Sequence, residues 1–173
     1  MRRSLLIFLA AATPLAAQQQ QSSAAASASV LATKGVWSIG HNYVLRSAEQ
    51  MPESLYAFRP APTVRTFGQL VGHVADAEGM FCALALGETP ANNEYEKKTS
   101  KADLVAALKA SAAVCERAYA QTDAASSAPI KIFGRDGTRM FALSLNAAHD
   151  MEHYGNLVTY IRIKGMVPPS SQQ

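Results

Sequence analysis

No apolar run in this chain of 173 residues reaches the roughly 20 residues that a membrane-spanning helix needs, so no helical span is expected. No G-x-S-x-G stands in a strand-turn-helix context, which removes the serine nucleophile of that class. No glycine-rich phosphate loop is present, and no internal repeat. Cysteine is scarce: there are two, Cys82 and Cys115, and neither lies near the N-terminus, so a lipoprotein anchor is not expected. Net charge is small as well. The formal value is +3, but Arg2 and Arg3 belong to a segment expected to be removed. Without them 14 Lys+Arg face 13 Asp+Glu, a balance of +1. That excludes the basic footprint of a nucleic-acid binder.

Arg2 and Arg3 are followed by the apolar residues 5–12 and the small-residue exit Thr13-Pro14-Leu15-Ala16-Ala17. A basic start, a short apolar stretch and a small-residue end make a secretory signal peptide. We expect it to span residues 1–17, with the alanine-serine run 24–28 offering alternative cleavage points. The mature protein is then periplasmic or secreted, with no membrane anchor. Two arginines alone do not argue for the twin-arginine route. Residues 18–29 are glutamine, serine and alanine only and read as a disordered linker. A single domain is expected over 30–168, with 169–173 as a tail.

Four helices are expected in that domain. The first covers about 31–50, with Trp37, Val44, Leu45 and Ala48 inward. Pro60 and Pro62 keep the next segment out of helix. The second starts at Thr66, where Gln69 completes a capping-box pattern, and stops at Gly87. The third starts at Ser100 and runs to about Gln121. Residues 124–129 read as loop, 130–133 as β-like and 134–137 as a turn. The fourth covers about 139–164, with Gly165 behind it and then Pro168-Pro169.

The fourth segment carries the chemistry. His149 and His153 are one helical turn apart and leave the same face, so one divalent ion can bind both imidazoles. Phe141, Leu145, His149, His153 and Leu157 recur every four residues, which puts both histidines on the expected inward stripe. His73, in the second helix, is the third candidate ligand. Two ligands from one helix and one from another leave coordination positions open, as in a catalytic metal site. A lone helix histidine is more often a satisfied polar residue. His41, in the first helix, is read that way here.

The segments AEQMPESLYAFRPAPTVRTFGQLVGHVADAE, KTSKADLVAALKAS and HDMEHYGNLVTYIRIKG together resemble the DinB/YfiT-like family of metalloenzymes, over about 36–168. The resemblance implies an all-α four-helix bundle with long interhelical connections. It also implies a divalent metal, Zn or Ni, on His73, His149 and His153. Some members of that family resemble thiol-dependent S-transferases or isomerases, and many have no known reaction. Two positions depart from the family pattern: Glu152 stands where histidine is frequent, and Gly155-Asn156 replaces Gly-Gln.

Around the ligands, Asp76 is a candidate acceptor orienting His73 from three residues away. Glu152 is a candidate general base on metal-bound water. Both, like Asp150, are also read as solvated helix-face charges. Tyr154 and Tyr160 are read as packing or surface residues. The reaction class expected is a hydrolysis or a thiol-type group transfer on an unidentified small substrate. The alternatives are a non-catalytic metal-sequestering module and a helical interaction domain; a second copy of the chain is a candidate partner.

Cys82 and Cys115 both lie about 23 Å along their helices at a rise of about 1.5 Å per residue. If helices two and three run parallel, the thiols sit level and can form a disulfide, as an exported location favours. If they run antiparallel, the heights differ by about 16 Å and they cannot.

Overall fold

The computed structural model describes residues 28–172. The expected signal peptide and residues 18–27 of the expected linker lie outside the described residues. Four long helices carry the fold: α1 (Ala28–Gln50), α2 (Phe67–Leu86), α3 (Lys101–Ala118) and α5 (Arg139–Ile163). A short α4 (Asp123–Ser126) and a hairpin of β1 (Pro129–Ile132) and β2 (Arg135–Thr138) stand between the last two. The first helix starts within the stretch expected as linker, so residues 28 and 29 are helical.

Local chemistry sets the ends. At α2 the Gln69 N–H donates to Thr66 Oγ1 at 3.1 Å and the Thr66 N–H to Gln69 Oε1 at 2.9 Å, closing the capping box. Gly87 ends α2 in the left-handed region, φ 76°. Ser100 caps α3 and Thr138 caps α5 through side-chain oxygens. The expected loop at 124–129 is in part α4, capped by Thr122, and α3 ends at Ala118, short of Gln121. The hairpin turns on Phe133 and Gly134, both at positive φ.

Side-chain contacts fix the helix directions. Gly68 faces Leu104, Glu78 bonds Ser111, and Cys82 is joined to Cys115. The numbers climb together, so α2 and α3 are parallel. The same holds for α1 and α5, where Gly40 faces Asp150 and Tyr43 stacks on Tyr154. Tyr160 donates to the Arg65 carbonyl while Asn146 reaches Cys82, so α2 and α5 are antiparallel. The bundle is up-down-down-up. Parallel packing of α2 and α3 makes the level arrangement of the two cysteines the one that holds: they form a disulfide, Cα–Cα 5.0 Å.

The connection 87–100 must therefore return along the bundle. It lies directly on α2 because Gly72 has no side chain; a Cβ there would sit 2.4 Å from the Tyr95 carbonyl oxygen. Residues 169–171, expected as tail, are part of the fold. They form a 3-10 turn in which Ser170 exchanges hydrogen bonds with the Tyr154 hydroxyl, at 2.6 and 2.8 Å.

The inward stripe of α5 differs from the one expected. Phe141 is 47% exposed, and the buried positions are Ala142, Leu143, Asn146, Ala147, Asp150, His153, Tyr154, Leu157, Tyr160 and Ile161. A strict spacing of four advances about 40° per step against a helix of 3.6 residues per turn. Starting from Leu157, it has left the core by the time it reaches Phe141.

The apolar core is divided in two. One part holds Val44, Phe67, Leu70, Val74, Leu104, Leu108, Leu157 and Tyr160. The other holds Trp37, Phe81, Ala85, Cys82, Cys115, Tyr119, Leu143 and Ala147. On every long helix one polar residue falls between the two parts: His41, Glu78, Ser111 and Asp150.

Candidate metal centre

His149 and His153 leave α5 one turn apart, and α2, running the other way, brings His73 to face them. His149 Nε2 lies 3.2 Å from His73 Nε2 and 3.0 Å from His153 Nε2. Three Nε2 atoms thus converge on one point, with the rings held at steep angles to one another: 51° between His73 and His149, 82° between His149 and His153. Such an arrangement is unfavourable for charged rings, and all three are shifted toward the neutral form. Burial lowers His149 to about 3, with the other two histidines adding to it. Burial lowers His73, helped by the nearby Arg65 guanidinium and opposed by Glu96. Burial and His73 lower His153. Neutral imidazoles with converging lone pairs are the donor set a divalent ion of the Zn²⁺ or Ni²⁺ kind requires.

The outer nitrogens define what supports these rings. Glu96 Oε2 lies 3.4 Å from His73 Nδ1, and Glu96 Oε1 accepts from Arg65 Nε at 2.9 Å. The Asn156 amide is 3.2 Å from His153 Nδ1. His149 Nδ1 is buried without a hydrogen-bond partner among the described residues.

Asp76 does not orient His73. Its two carboxylate oxygens accept the N–H groups of Tyr95 and Glu96, both at 3.0 Å. It pins the returning connection onto α2 and thereby sets Glu96 beside His73. The acceptor comes from a segment remote in sequence, which helical spacing around His73 could not reveal. Glu152 is exposed on α5, away from the convergence point, and acts on His153 only through its charge. Tyr154 and Tyr160 are buried, with their hydroxyls bonded to Ser170 and the Arg65 carbonyl.

A cleft of about 690 Å³ opens beside His153. Arg59, Arg65, Gln69, Asn156, Thr159 and Tyr160 line it, together with Glu96. Arg65 is paired with Glu96, whereas among the described residues the Arg59 guanidinium meets only the Pro62 carbonyl, at 3.5 Å. The cleft walls offer cationic and amide donors next to the histidines.

A second convergence lies inside the bundle, on Asp150, read from sequence as a helix-face charge, His41, read as a satisfied polar residue, and Glu78, not singled out. Glu78 is fully buried: Oε1 accepts from Trp37 Nε1 at 3.0 Å and lies 2.7 Å from His41 Nδ1, and Oε2 accepts from Ser111 Oγ at 2.5 Å. Asp150 is also fully buried, and neither of its oxygens meets a hydroxyl, amide or ring N–H. The group it faces is the Glu78 carboxyl, with which it can only share a proton. Burial and the Glu78 charge push Asp150 well above the usual carboxylate range. Glu78 is held low against its burial, first by His41.

The profile of the DinB superfamily matches residues 37–157, a span that includes all three histidines. Two solved structures share the fold. A DinB-like protein from Bacillus cereus aligns with a TM-score of 0.69 at 16% identity, over 79% of this chain and 93% of that one. A DinB-like protein from Bacillus subtilis aligns with a TM-score of 0.63 at 25% identity, over 77% and 92%. No curated protein matches the chain.

Proposed function

Because the chain belongs to the DinB superfamily, we propose that His73, His149 and His153 hold one divalent cation, Zn²⁺ or Ni²⁺, and that the adjoining cleft takes a small anionic substrate for hydrolysis or group transfer. The observation that carries this reading is the convergence of three neutral Nε2 atoms on one point. When bound, the ion supplies Lewis acidity, lowering the pKa of a water or thiol.

The protein's own residues do the rest. With Nε2 committed to an ion, each imidazole carries its proton on Nδ1. Glu96 then accepts that proton's hydrogen bond from His73, and Asn156, whose Nδ2 faces His153 Nδ1, presents its carbonyl oxygen once its amide is turned over. Both fix ring orientation and tautomer. Arg59 has no carboxylate partner among the described residues and binds an anionic group in the cleft. Arg65, tied to Glu96, keeps that carboxylate in place. The exposed position of Glu152 favours a second reading, in which the site stores or senses metal without catalysis.

The proposal includes export through residues 1–17. The Cys82–Cys115 bond supports an oxidising compartment. N-terminal sequencing of protein from native cells should begin after residue 17 or within 24–28; an intact Met1 refutes export.

Elemental analysis of protein purified without a histidine tag tests the metal. His149→Ala or His153→Ala should each remove one equivalent of bound ion while the helical circular dichroism is retained. Unchanged stoichiometry in either variant overturns the ligand set. Turnover of small anionic esters or thiol conjugates, lost in the same variants, separates catalysis from storage.

A further inference from the structure

The division of the core by a polar layer is unusual in what it contains. Each long helix contributes one residue to it, and two of the four are carboxylates with no exposed surface. Among the described residues no lysine or arginine pairs with either. Burying one carboxylate without a counter-charge is costly, and two facing each other cannot both ionise unless something positive stands between them. Glu78 is provided for by Trp37, His41 and Ser111. Asp150 is not: both oxygens are sealed from water and, among the described residues, meet only the Glu78 carboxyl, which has no donor of its own unless a proton is shared. The side chains aim at a common point, since one ligating atom from each of His41, Glu78 and Asp150 lies within 4.8 Å of the other two.

We propose that His41, Glu78 and Asp150 form a second divalent-cation site inside the bundle, separate from the three-histidine centre. An ion there takes the place of the proton that Asp150 and Glu78 would otherwise share and neutralises the layer. Bundle cores hold metal in this manner, through inward carboxylates and imidazoles on facing helices. The donor set differs from the histidine centre: one imidazole and two carboxylates suit an ion in the Mn²⁺ to Zn²⁺ range, harder on average than three imidazoles. His41 is the only member that reaches the surface, its side chain 12% exposed, so an ion enters past it.

The test is stoichiometry on the full mature chain. Metal-stripped protein is dialysed against Mn²⁺ or Zn²⁺ alone, and bound ion is counted by elemental analysis. We expect two ions per chain in the wild type with Zn²⁺, falling to one in Asp150→Asn and in His41→Ala, and to a different single ion in His153→Ala. Double substitution His153→Ala/Asp150→Asn should bind none. One ion in the wild type, kept by Asp150→Asn and lost by His153→Ala, overturns the inner site and leaves the histidine centre standing. One ion lost by Asp150→Asn and kept by His153→Ala supports the inner site and overturns the histidine centre. No ion in the wild type overturns both. Anomalous diffraction from wild-type crystals soaked in Mn²⁺ or Zn²⁺ locates the ion without any substitution. A peak between Glu78 and Asp150 supports the proposal, and density at the histidines alone refutes it.

Discussion

His149 and Asp150 are neighbours in sequence and about 100° apart around α5, and they serve two clusters that differ in nearly every respect. The outer cluster is three imidazoles, two half-buried and one buried, beside a cleft of about 690 Å³. The inner cluster is one imidazole and two carboxylates, sealed between two apolar half-cores. The outer residues can be neutral without a partner, so the bundle tolerates them empty. The inner carboxylates must share a proton or hold a cation, so the fold depends on what occupies them. One helix thus carries a site where ligand exchange is easy and a site whose occupancy is tied to stability.

The largest expected effect sharpens this contrast. In chelator, Glu78→Ala should lose about 3–5 kcal/mol of stability to urea, because Trp37 and His41 lose their acceptor and Asp150 the carboxyl it faces. In the same conditions His153→Ala should stay within about 1 kcal/mol. Equal losses would erase the distinction between the two clusters.

Reducing the disulfide should cost about 3–4 kcal/mol, for a loop of 33 residues in the chain-entropy account. Denaturation with and without reductant measures it, and a loss below about 1 kcal/mol breaks the account. Metal at the outer cluster comes next: an ion at 100 times its dissociation constant adds about 2.7 kcal/mol. The thermal shift on adding Zn²⁺ should shrink in His149→Ala. Without metal, the depressed pKa of His149 acts in one direction only. The unfolded chain binds the proton more readily, so stability falls as pH drops from about 6.5 toward about 3. That slope should be shallower in His149→Ala. The smallest contrast is between two glutamates. Glu96→Gln should weaken Zn²⁺ binding about 10- to 100-fold, as loss of a ring-orienting acceptor does. Glu152→Gln, on the exposed side, should leave affinity and stability within about 0.5 kcal/mol.

The four helices, the Thr66 capping box and the Gly87 stop were legible because caps and apolar periodicity are local signals. The histidine set was legible for the same reason on α5, and through the family resemblance for His73. The rest depended on topology. Whether Cys82 meets Cys115 turns on the relative direction of α2 and α3, which loop length permits but does not decide. Glu96 stands beside His73 where Asp76 was expected, because a segment 20 residues onward folds back across Gly72. Asp150 read as a helix-face charge and Glu78 was not singled out, since a single sequence does not say which of several faces of a helix is the dry one.

The parallel pairing of α2 and α3, joined at one level by the disulfide, also makes a covalent ring. Residues 82–115 are closed on themselves, and the returning connection, with Lys97 and Lys98 exposed, is the ring's outer arc. A protease that cuts after either lysine opens the ring without dividing the molecule, because one cysteine lies on each side of the cut. Tryptic nicking there should give a single band on a non-reducing gel and two on a reducing one. The arc that carries Glu96 to the histidines can therefore be severed while the bundle keeps all of its pieces.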